Sequence, residues 1–204
     1  MNSKGLSTIG VGFVLMTLVG CAVITGGGET VDGNKHMRSV TVERELPFSA
    51  DLIWERVMMD YGGAEKFNPK VVRSGYLGEV QQPIVGAQRY MYYNQEGSEG
   101  LHEQLVRVDP QSRSMRFDII EAREVPVDTS VSFGQSQVIP LGNDRAKMQI
   151  TLYFRTTPRF LALFASGQIR SDMSNMLAGI EYFLATGKPA TPAAVATLTQ
   201  SVSR

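Results

Sequence analysis

Residues 71–155 alternate apolar and polar side chains in short runs, and short connections separate these runs. Each connection contains Gly, Pro, Asn or Asp, the residues that turns require. Short connections join antiparallel neighbours, because parallel strands need long crossovers. We therefore predict six consecutive antiparallel strands, at residues 71–79, 87–94, 101–108, 114–121, 127–139 and 146–155.

A strand and two short helices are predicted before this region. Residues 38–46 alternate apolar and polar side chains, which indicates a seventh, half-buried strand. Ser49 is a suitable N-cap for a helix over residues 50–60. After a Gly-Gly pair that breaks this helix, residues 64–67 are expected to form one more helical turn.

A long amphipathic helix is predicted at residues 159–186, ended by Gly187 and Pro189. Residues 189–204 are expected to form a tail that is loose or weakly helical. An antiparallel sheet with helices on one face defines an α+β domain, and a strongly twisted seven-stranded sheet curls around such a helix. The apolar stripe of the helix comprises Leu161, Phe164, Ile169, Met173, Met176, Leu177, Ile180, Phe183 and Leu184.

The start of the chain is typical of a secreted precursor. Lys4 lies in a short polar segment, and an apolar stretch at residues 9–19 follows it. This is the layout of a signal peptide, and the stretch is too short to span a bilayer. Leu18-Val19-Gly20-Cys21 resembles the bacterial lipobox, in which the cysteine thiol accepts a lipid. We predict that residues 1–20 are removed and that Cys21 is lipidated.

Lipidation of Cys21 would place the protein in the bacterial cell envelope. Cys21 is the only cysteine in the chain, so no internal disulfide can form. An anchor with more than one acyl chain holds a protein firmly to the bilayer. Ala22 favours the outer membrane, facing the periplasm, because inner-membrane retention usually requires Asp there. Residues 21–36 are predicted to be a flexible tether and residues 37–188 the folded domain.

Charge and histidine content exclude several classes of function. The chain has 20 Lys and Arg side chains and 20 Asp and Glu side chains. Because there is no strong positive field, nucleic acid is not an expected partner. His36 and His102 are far apart in the sequence, and with Cys21 lipidated no second cysteine exists. The sequence therefore predicts neither a metal site nor a cofactor, and it gives no oligomeric state.

The order of elements and several short motifs resemble the START/Bet v 1-type superfamily, SRPBCC, and its polyketide cyclase/dehydrase-like branch. The resemblance covers about residues 38–186, and no single motif is specific by itself. The segments that carry it are Val42-Glu43-Arg44-Glu45, Phe48 to Trp54, Asp60-Tyr61-Gly62-Gly63, Phe67-Asn68-Pro69, Gly86-Ala87-Gln88-Arg89, Glu103-Gln104-Leu105 with Asp109, and Met115 to Ile120.

This resemblance implies a helix-grip fold, with an apolar cavity between the curved sheet and the C-terminal helix. Members bind or transfer lipids, sterols and polyketides, act as cyclases, or bind protein partners, so the fold does not choose the function. The expected function is binding of a small hydrophobic ligand by a membrane-anchored lipoprotein. The residues expected to line the cavity are Trp54, Arg89, Phe117, Phe133, Phe164, Met173 and Met176.

Two alternatives remain open: a cyclase- or dehydratase-type enzyme, and an envelope adaptor whose cavity is filled by its own side chains. An enzyme needs a general acid or base inside the cavity, and the foremost candidates are His102 and Glu103, with Asp118 and Tyr92 behind them. Glu103 is also placed to form a cross-strand ion pair with Arg89. The sequence favours binding over catalysis.

Overall fold

The computed structural model describes residues 28–202. The strands are β1 (Glu29–Val31), β2 (Asn34–Leu46), β3 (Arg73–Leu77), β4 (Gln88–Tyr92), β5 (Gly100–Asp109), β6 (Ser114–Arg123), β7 (Phe133–Gly142) and β8 (Arg145–Phe154). The helices are α1 (Ala50–Ile53), a π-helix (Trp54–Met58), two 3₁₀-helices (Ala64–Lys66 and Arg159–Leu161), α2 (Ala162–Thr186) and α3 (Pro192–Val202).

All of these strands form one antiparallel sheet in the order β1-β2-β8-β7-β6-β5-β4-β3. Strands β3 to β8 lie beside their neighbours in sequence, as short connections require. The predicted α+β class, with an antiparallel sheet and a long C-terminal helix, is confirmed. The predicted number of seven strands is wrong, because the sheet contains 8.

The additional strand, β1, comes from the segment predicted to be a flexible tether. It pairs with β2 so that Val31 lies opposite Asn34. Asp32 and Gly33 form the turn between them with positive φ values of 49° and 79°. Two positive φ values define the tight hairpin turn that Asp-Gly favours. The tether prediction over residues 21–36 is therefore wrong from Glu29 onward.

The helix predicted after β2 is present but divided. The Ser49 hydroxyl accepts a hydrogen bond from the backbone N–H of Leu52 at 3.2 Å and so caps α1. The chain then widens into the π-helix, which ends at Met58 rather than at residue 60. Trp54 and Met58 are buried against the sheet, so this segment closes part of the core.

Strand β7 begins at Phe133, later than the predicted residue 127. Val127 forms only an isolated bridge with Thr156. The carboxylate of Asp128 accepts hydrogen bonds from the backbone and hydroxyl of Ser130 and from the guanidinium of Arg155. These bonds hold the segment before β7 as a loop, because Asp side chains favour such turns.

Helix α2 runs along the sheet and ends at Gly187, whose φ of 69° is that of a left-handed helix cap. Its side chains at Ser166, Met173 and Leu177 are buried. Phe164, in contrast, is 77% exposed. Its predicted place in the apolar stripe is wrong, because it lies off the face that these buried positions define.

Helix α3 lies in the segment of residues 189–204, which was predicted to be loose or weakly helical, and it is packed against the domain. Ala190 and Val195 pack against Ala178 on the outer side of α2. At Gly179 a Cβ atom would lie 2.3 Å from the backbone oxygen of Phe67, so glycine allows the close approach there. The C-terminal segment is therefore part of the folded domain.

The strand register shows which residues face α2. Val42 pairs with Ile150, Ile150 with Ser136, and Ser136 with Met115, which makes one continuous row across four strands. Directly paired residues lie on the same face of a sheet. The apolar members of this row share a core cluster with Met173 and Leu177 of α2, so this is the concave, inner face.

A bulge in β5 resolves the ambiguous alternation of this strand. The register shifts between Leu105 and Arg107, so that Leu105 pairs with Phe117 and Val108 with Met115. A bulge inserts one unpaired residue and reverses the alternation after it. Leu105 and Val108 both face the core for this reason.

The predicted signal peptide, residues 1–20, and the predicted lipidation site, Cys21, lie outside the described residues. Among the helices of residues 28–202, none combines the length and the apolar character that crossing a bilayer requires.

Candidate functional site

The core between α2 and the concave face consists of apolar side chains rich in methionine. Five methionines are buried in this core and two more are partly buried against it. Thioether side chains are flexible and polarisable, so they can adapt their packing to irregular shapes. The buried ones are Met58, Met91, Met115, Met148 and Met173, and the partly buried ones are Met59 and Met176.

One ion pair lies within this apolar surface. Arg89 on β4 pairs directly with Glu103 on β5. Nη2 of Arg89 lies 2.6 Å from Oε2 of Glu103, and Nε donates to the same oxygen at 2.8 Å. The two side chains are 12% and 5% exposed. The cross-strand pair predicted from the sequence is therefore present, and it is buried.

Tyr61 and Phe117 surround the guanidinium of Arg89. The guanidinium carbon lies 4.1 Å from the centre of the Tyr61 ring and 5.7 Å from that of Phe117. Nη1 of Arg89 donates to the backbone oxygen of Tyr61 at 2.9 Å. Burial acts most strongly on the pKa of Arg89 and lowers it, but the charge and hydrogen bond of Glu103 together with Tyr61 and Tyr93 outweigh burial, and the pKa is raised. Arg89 is thus held charged and fixed in place.

Beside this ion pair, the hydroxyl of Tyr61 is a buried polar group without a hydrogen-bond partner. Tyr61 is 3% exposed, and its hydroxyl has no hydrogen-bond partner. Burial raises the pKa of Tyr61, and the nearby charge of Arg89 offsets only part of that effect. The phenol therefore keeps its proton and offers a donor inside the core. This role was not predicted from the sequence, although Tyr61 belongs to the Asp-Tyr-Gly-Gly motif that carries the family resemblance.

His102 lies on the opposite, convex face, although it precedes Glu103 in the chain. It pairs with Tyr90 on β4, whereas Glu103 pairs with Arg89. Its Nδ1 atom lies 2.7 Å from the Glu121 carboxylate, and its Nε2 lies 3.3 Å from the Tyr92 hydroxyl. Burial lowers the pKa of His102 despite the opposing charge of Glu121. His102 and Glu103 therefore do not form one site.

The other candidate acid–base groups also face outward. Asp118 lies between Phe117 and the next inward position, so alternation places it on the convex side. Tyr92 stacks on Tyr90 with ring centres 4.8 Å apart and contacts His102 on that same face. Of the candidate acid–base residues, Glu103 alone faces the core, and it is bonded to Arg89.

The predicted cavity residues are divided between three environments. Trp54, Arg89, Phe117, Met173 and Met176 lie in or beside the core between α2 and the sheet. Phe133 is buried on the convex face, where its ring stacks on Tyr153 at 4.7 Å and lies under Arg116. Phe164 is exposed on α2. The predicted inward position is therefore wrong for these last two.

Room for the Phe117 ring depends on the absence of a side chain on the next strand. Phe117 pairs with Gly134 on β7. A Cβ atom at Gly134 would lie 2.2 Å from Cζ of Phe117. Glycine at this position therefore leaves the space that the Phe117 ring occupies.

Two depressions lie outside this core. A groove of about 300 Å³ lies between α2 and α3, bordered by Lys70, Asp172 and Val195. Another, of about 280 Å³, lies over β5 to β8 and is bordered mainly by polar side chains such as Gln135 and Gln149. None of the predicted cavity residues borders either groove. No group of three or more potential metal-binding side chains occurs within residues 28–202.

Solved structures with low sequence identity share this fold. A protein from Thermobifida fusca is 19% identical, with a TM-score of 0.59 over 72% of this chain and 92% of that one. The Zhui aromatase/cyclase from a Streptomyces species is 21% identical, with a TM-score of 0.56 over 73% and 96%. Norcoclaurine synthase from Thalictrum flavum is 17% identical, with a TM-score of 0.53 over 91% and 99%.

The sequence itself gives a family assignment. No curated protein sequence matches the chain significantly. Residues 37–181 match the sequence model of a family described as "Polyketide cyclase / dehydrase and lipid transport". This match extends from β2 to the last third of α2 and includes the whole buried ion pair. The chain therefore belongs to the polyketide cyclase/dehydrase and lipid transport family.

Proposed function

We propose that this protein binds one small hydrophobic molecule between α2 and the concave face of the sheet. The observation that carries the proposal is the Tyr61 hydroxyl, which is buried and has no partner beside the fixed Arg89–Glu103 pair. A buried donor without a partner costs free energy, because water no longer solvates it. Binding sites commonly combine an apolar lining with a few such polar groups that orient the ligand.

The methionine lining supports a ligand of variable shape. Met91, Met115 and Met148 lie on the inner face, and Met173 approaches them from α2. A long unbranched side chain can move aside at a small cost, whereas a β-branched or aromatic one cannot. An apolar ligand can therefore enter by displacing thioether side chains that otherwise fill the space.

Relatives with the same fold are consistent with ligands of this kind. The family description includes lipid transport. The structure of norcoclaurine synthase from Thalictrum flavum is a complex with dopamine and hydroxybenzaldehyde. The Streptomyces relative is an aromatase/cyclase. For this chain we propose binding without chemical conversion, because Glu103, the inward-facing acid–base candidate, is already bonded to Arg89.

We further propose that Cys21 anchors the domain to the outer membrane, on its periplasmic side. The support is the signal-peptide pattern of residues 1–20 with its lipobox-like end. Residues 22–28 then separate the anchor from β1. Because an extended residue covers at most about 3.6 Å, the start of β1 would lie within about 29 Å of the anchored cysteine. A ligand drawn from the membrane would have a short path to the domain.

The test is mass spectrometry of organic extracts from the purified full-length protein. We expect a small apolar molecule in near-stoichiometric amount. Met173→Trp fills the space beneath α2 and should reduce that amount at least several-fold. Leu163→Trp is the matched control, because Leu163 lies on the same helix but is exposed. Wild-type protein without such a molecule, or equal loading of the two variants, would refute the proposal.

The filled-core adaptor is the second candidate, favoured by one observation. The core between α2 and the sheet is occupied by Trp54 and the buried methionines, and the two grooves described above lie outside it. An adaptor of this kind would yield empty extracts from wild type and both variants. The same experiment therefore decides between a binding protein and an adaptor.

A further inference from the structure

Arg170 is a charged residue beside the buried, apolar face of α2. It lies one helical turn after Ser166 and one turn before Met173, and both of these residues are buried against the sheet. Residues three and four apart share one face of a helix. The side chain of Arg170 is accordingly partly buried.

One edge of the Arg170 guanidinium is shielded from solvent and has no partner. Its Nε and Nη2 atoms are both buried, and neither makes a hydrogen bond. These two nitrogens direct parallel N–H donors from the same edge of the planar group. This pair of donors, called the fork below, can donate two parallel hydrogen bonds to two oxygens of one carboxylate or phosphate.

The two acidic residues of α2 and the inward-facing Glu103 of the sheet are paired with other cations. Asp172 of α2 pairs with Lys70 at 2.7 Å, and Glu181 of α2 pairs with Arg44 at 2.6 Å. Glu103 on the facing sheet pairs with Arg89. The helix neighbours of Arg170 at three and four residues are uncharged: Ser166, Gly167, Met173 and Ser174.

We infer that Arg170 binds the oxyanion head of an amphiphile whose apolar tail lies between α2 and the sheet. This inference rests on the proposed function and specifies its ligand class: a single-chain anionic amphiphile with a carboxylate or a phosphate monoester head. A buried cationic fork without a protein anion is costly, and a bidentate oxyanion satisfies both donors together. Carboxylate and phosphate share this chemistry, and the ligand series below separates them.

The experiment measures binding to the full-length protein by displacement of a fluorescent apolar probe. The competitors are dodecanoate, dodecyl phosphate and dodecanol, each below the concentration at which it aggregates. They carry the same chain and differ in the head. We expect at least one anion to bind at least about tenfold more tightly than dodecanol, which has no charge for the fork to grip. The tighter anion identifies the head group.

Three variants separate a head-group site from a structural role. Arg170→Met should abolish the preference for the anion and leave dodecanol binding unchanged. Arg170→Lys keeps the charge but lacks the fork, and it should recover only part of the preference. Arg159→Met is the control, because Arg159 is an exposed arginine just before α2.

Each outcome has a defined meaning. If dodecanol binds as tightly as both anions, or if Arg170→Met weakens all three ligands equally, the inference is wrong while the proposed function survives. If none of the three displaces the probe, the proposed function fails with it. In the ¹⁵N spectrum, the Nε–Hε resonance of Arg170 should shift on adding the preferred anion and stay in place with dodecanol. An unmoved resonance would also overturn the inference.

Discussion

Oε2 of Glu103 accepts a hydrogen bond from Nε of Arg89 at 2.8 Å and lies 2.6 Å from Nη2 of the same guanidinium, across two neighbouring strands. Both side chains are largely shielded from water. Removing one partner of a buried pair leaves an uncompensated charge, which costs more than removing both. Because the pair is buried, loss of either partner should strongly lower the free energy of unfolding.

Glu103→Leu should therefore lower the free energy of unfolding by about 3–5 kcal/mol, measured by urea denaturation. The double variant Arg89→Met with Glu103→Leu should recover most of that loss. Glu45→Leu, which breaks an exposed pair with Arg145, is the control and should cost less than about 1 kcal/mol. A double variant as unstable as the single one would show that burial does not govern this pair.

Tyr61→Phe removes the buried hydroxyl that has no partner. Without ligand, we expect the free energy of unfolding to stay constant or rise by about 1 kcal/mol, because an unmet donor is deleted. Tyr153→Phe, on the convex face beside Phe133, is the control for the change of residue type. A loss above about 1 kcal/mol for Tyr61→Phe in urea denaturation would mean that this hydroxyl is satisfied within the fold.

His102 should make the folded state less stable in acid. Burial lowers its pKa in the folded state below the ordinary value of 6.5. The unfolded chain then binds the proton more readily, so stability is lost as the pH falls through 6.5 toward the folded pKa. We expect urea denaturation between about pH 7.5 and pH 5.5 to show a decline that His102→Gln reduces.

Glu121→Gln provides the opposite change for the same measurement. The Glu121 charge acts to raise the pKa of His102, so its removal should lower that pKa further. The decline in stability toward pH 5.5 should then become steeper. Identical pH dependence in wild type and both variants would exclude His102 as the responsible group.

Gly134→Ala should destabilise the protein, because its Cβ would meet the Phe117 ring at 2.2 Å. We expect a cost of about 1–3 kcal/mol in urea denaturation, typical of an overpacked core. Combining it with Phe117→Leu should restore part of the loss. Gly167→Ala on α2 is the matched control: nothing lies within 4 Å of its added Cβ, and it should be neutral or stabilising. Equal effects at both glycines would contradict the steric account.

Lipidation of Cys21 can be tested by metabolic labelling with a radioactive fatty acid. Wild-type protein should carry the label and sediment with outer membranes. Cys21→Ala should carry none and should migrate at the size of the uncleaved precursor, because cleavage depends on the modified cysteine. Label in the Cys21→Ala variant, or an unlabelled wild-type protein, would exclude the anchor.

Most elements of the fold follow from local patterns in the sequence. Short connections predict the antiparallel order of β3 to β8, and the Ser49 cap and Gly187 mark helix ends correctly. Strand β1 was not predicted because the segment that contains it, residues 25–35, is rich in glycine and polar side chains, as linkers are. The Asp32-Gly33 pair is nevertheless a strong hairpin signal, and it would have allowed β1 to be predicted.

The inner surface was harder to predict, because it depends on register and not on residue type. Phe117 and Phe133 have the same chemistry, yet one faces the core and the other the convex side. Shifting a strand by one position exchanges its faces, so type alone cannot decide. Tyr61 and Arg170 were missed for another reason: an unpaired buried donor is defined by what surrounds it in three dimensions.

The hairpin of β1 and β2 also determines how closely the domain would be held to a membrane anchor at Cys21. Because β1 begins at Glu29, residues 22–28 would connect the domain to a lipidated Cys21. A connection this short would hold the domain at the bilayer surface at an effective concentration in the millimolar range. At such an effective concentration even a weakly bound membrane ligand would saturate the proposed site, so a high affinity would bring little advantage. If the interior binds a membrane-derived ligand as proposed, its main requirement would be selectivity for one molecule among the many in the bilayer.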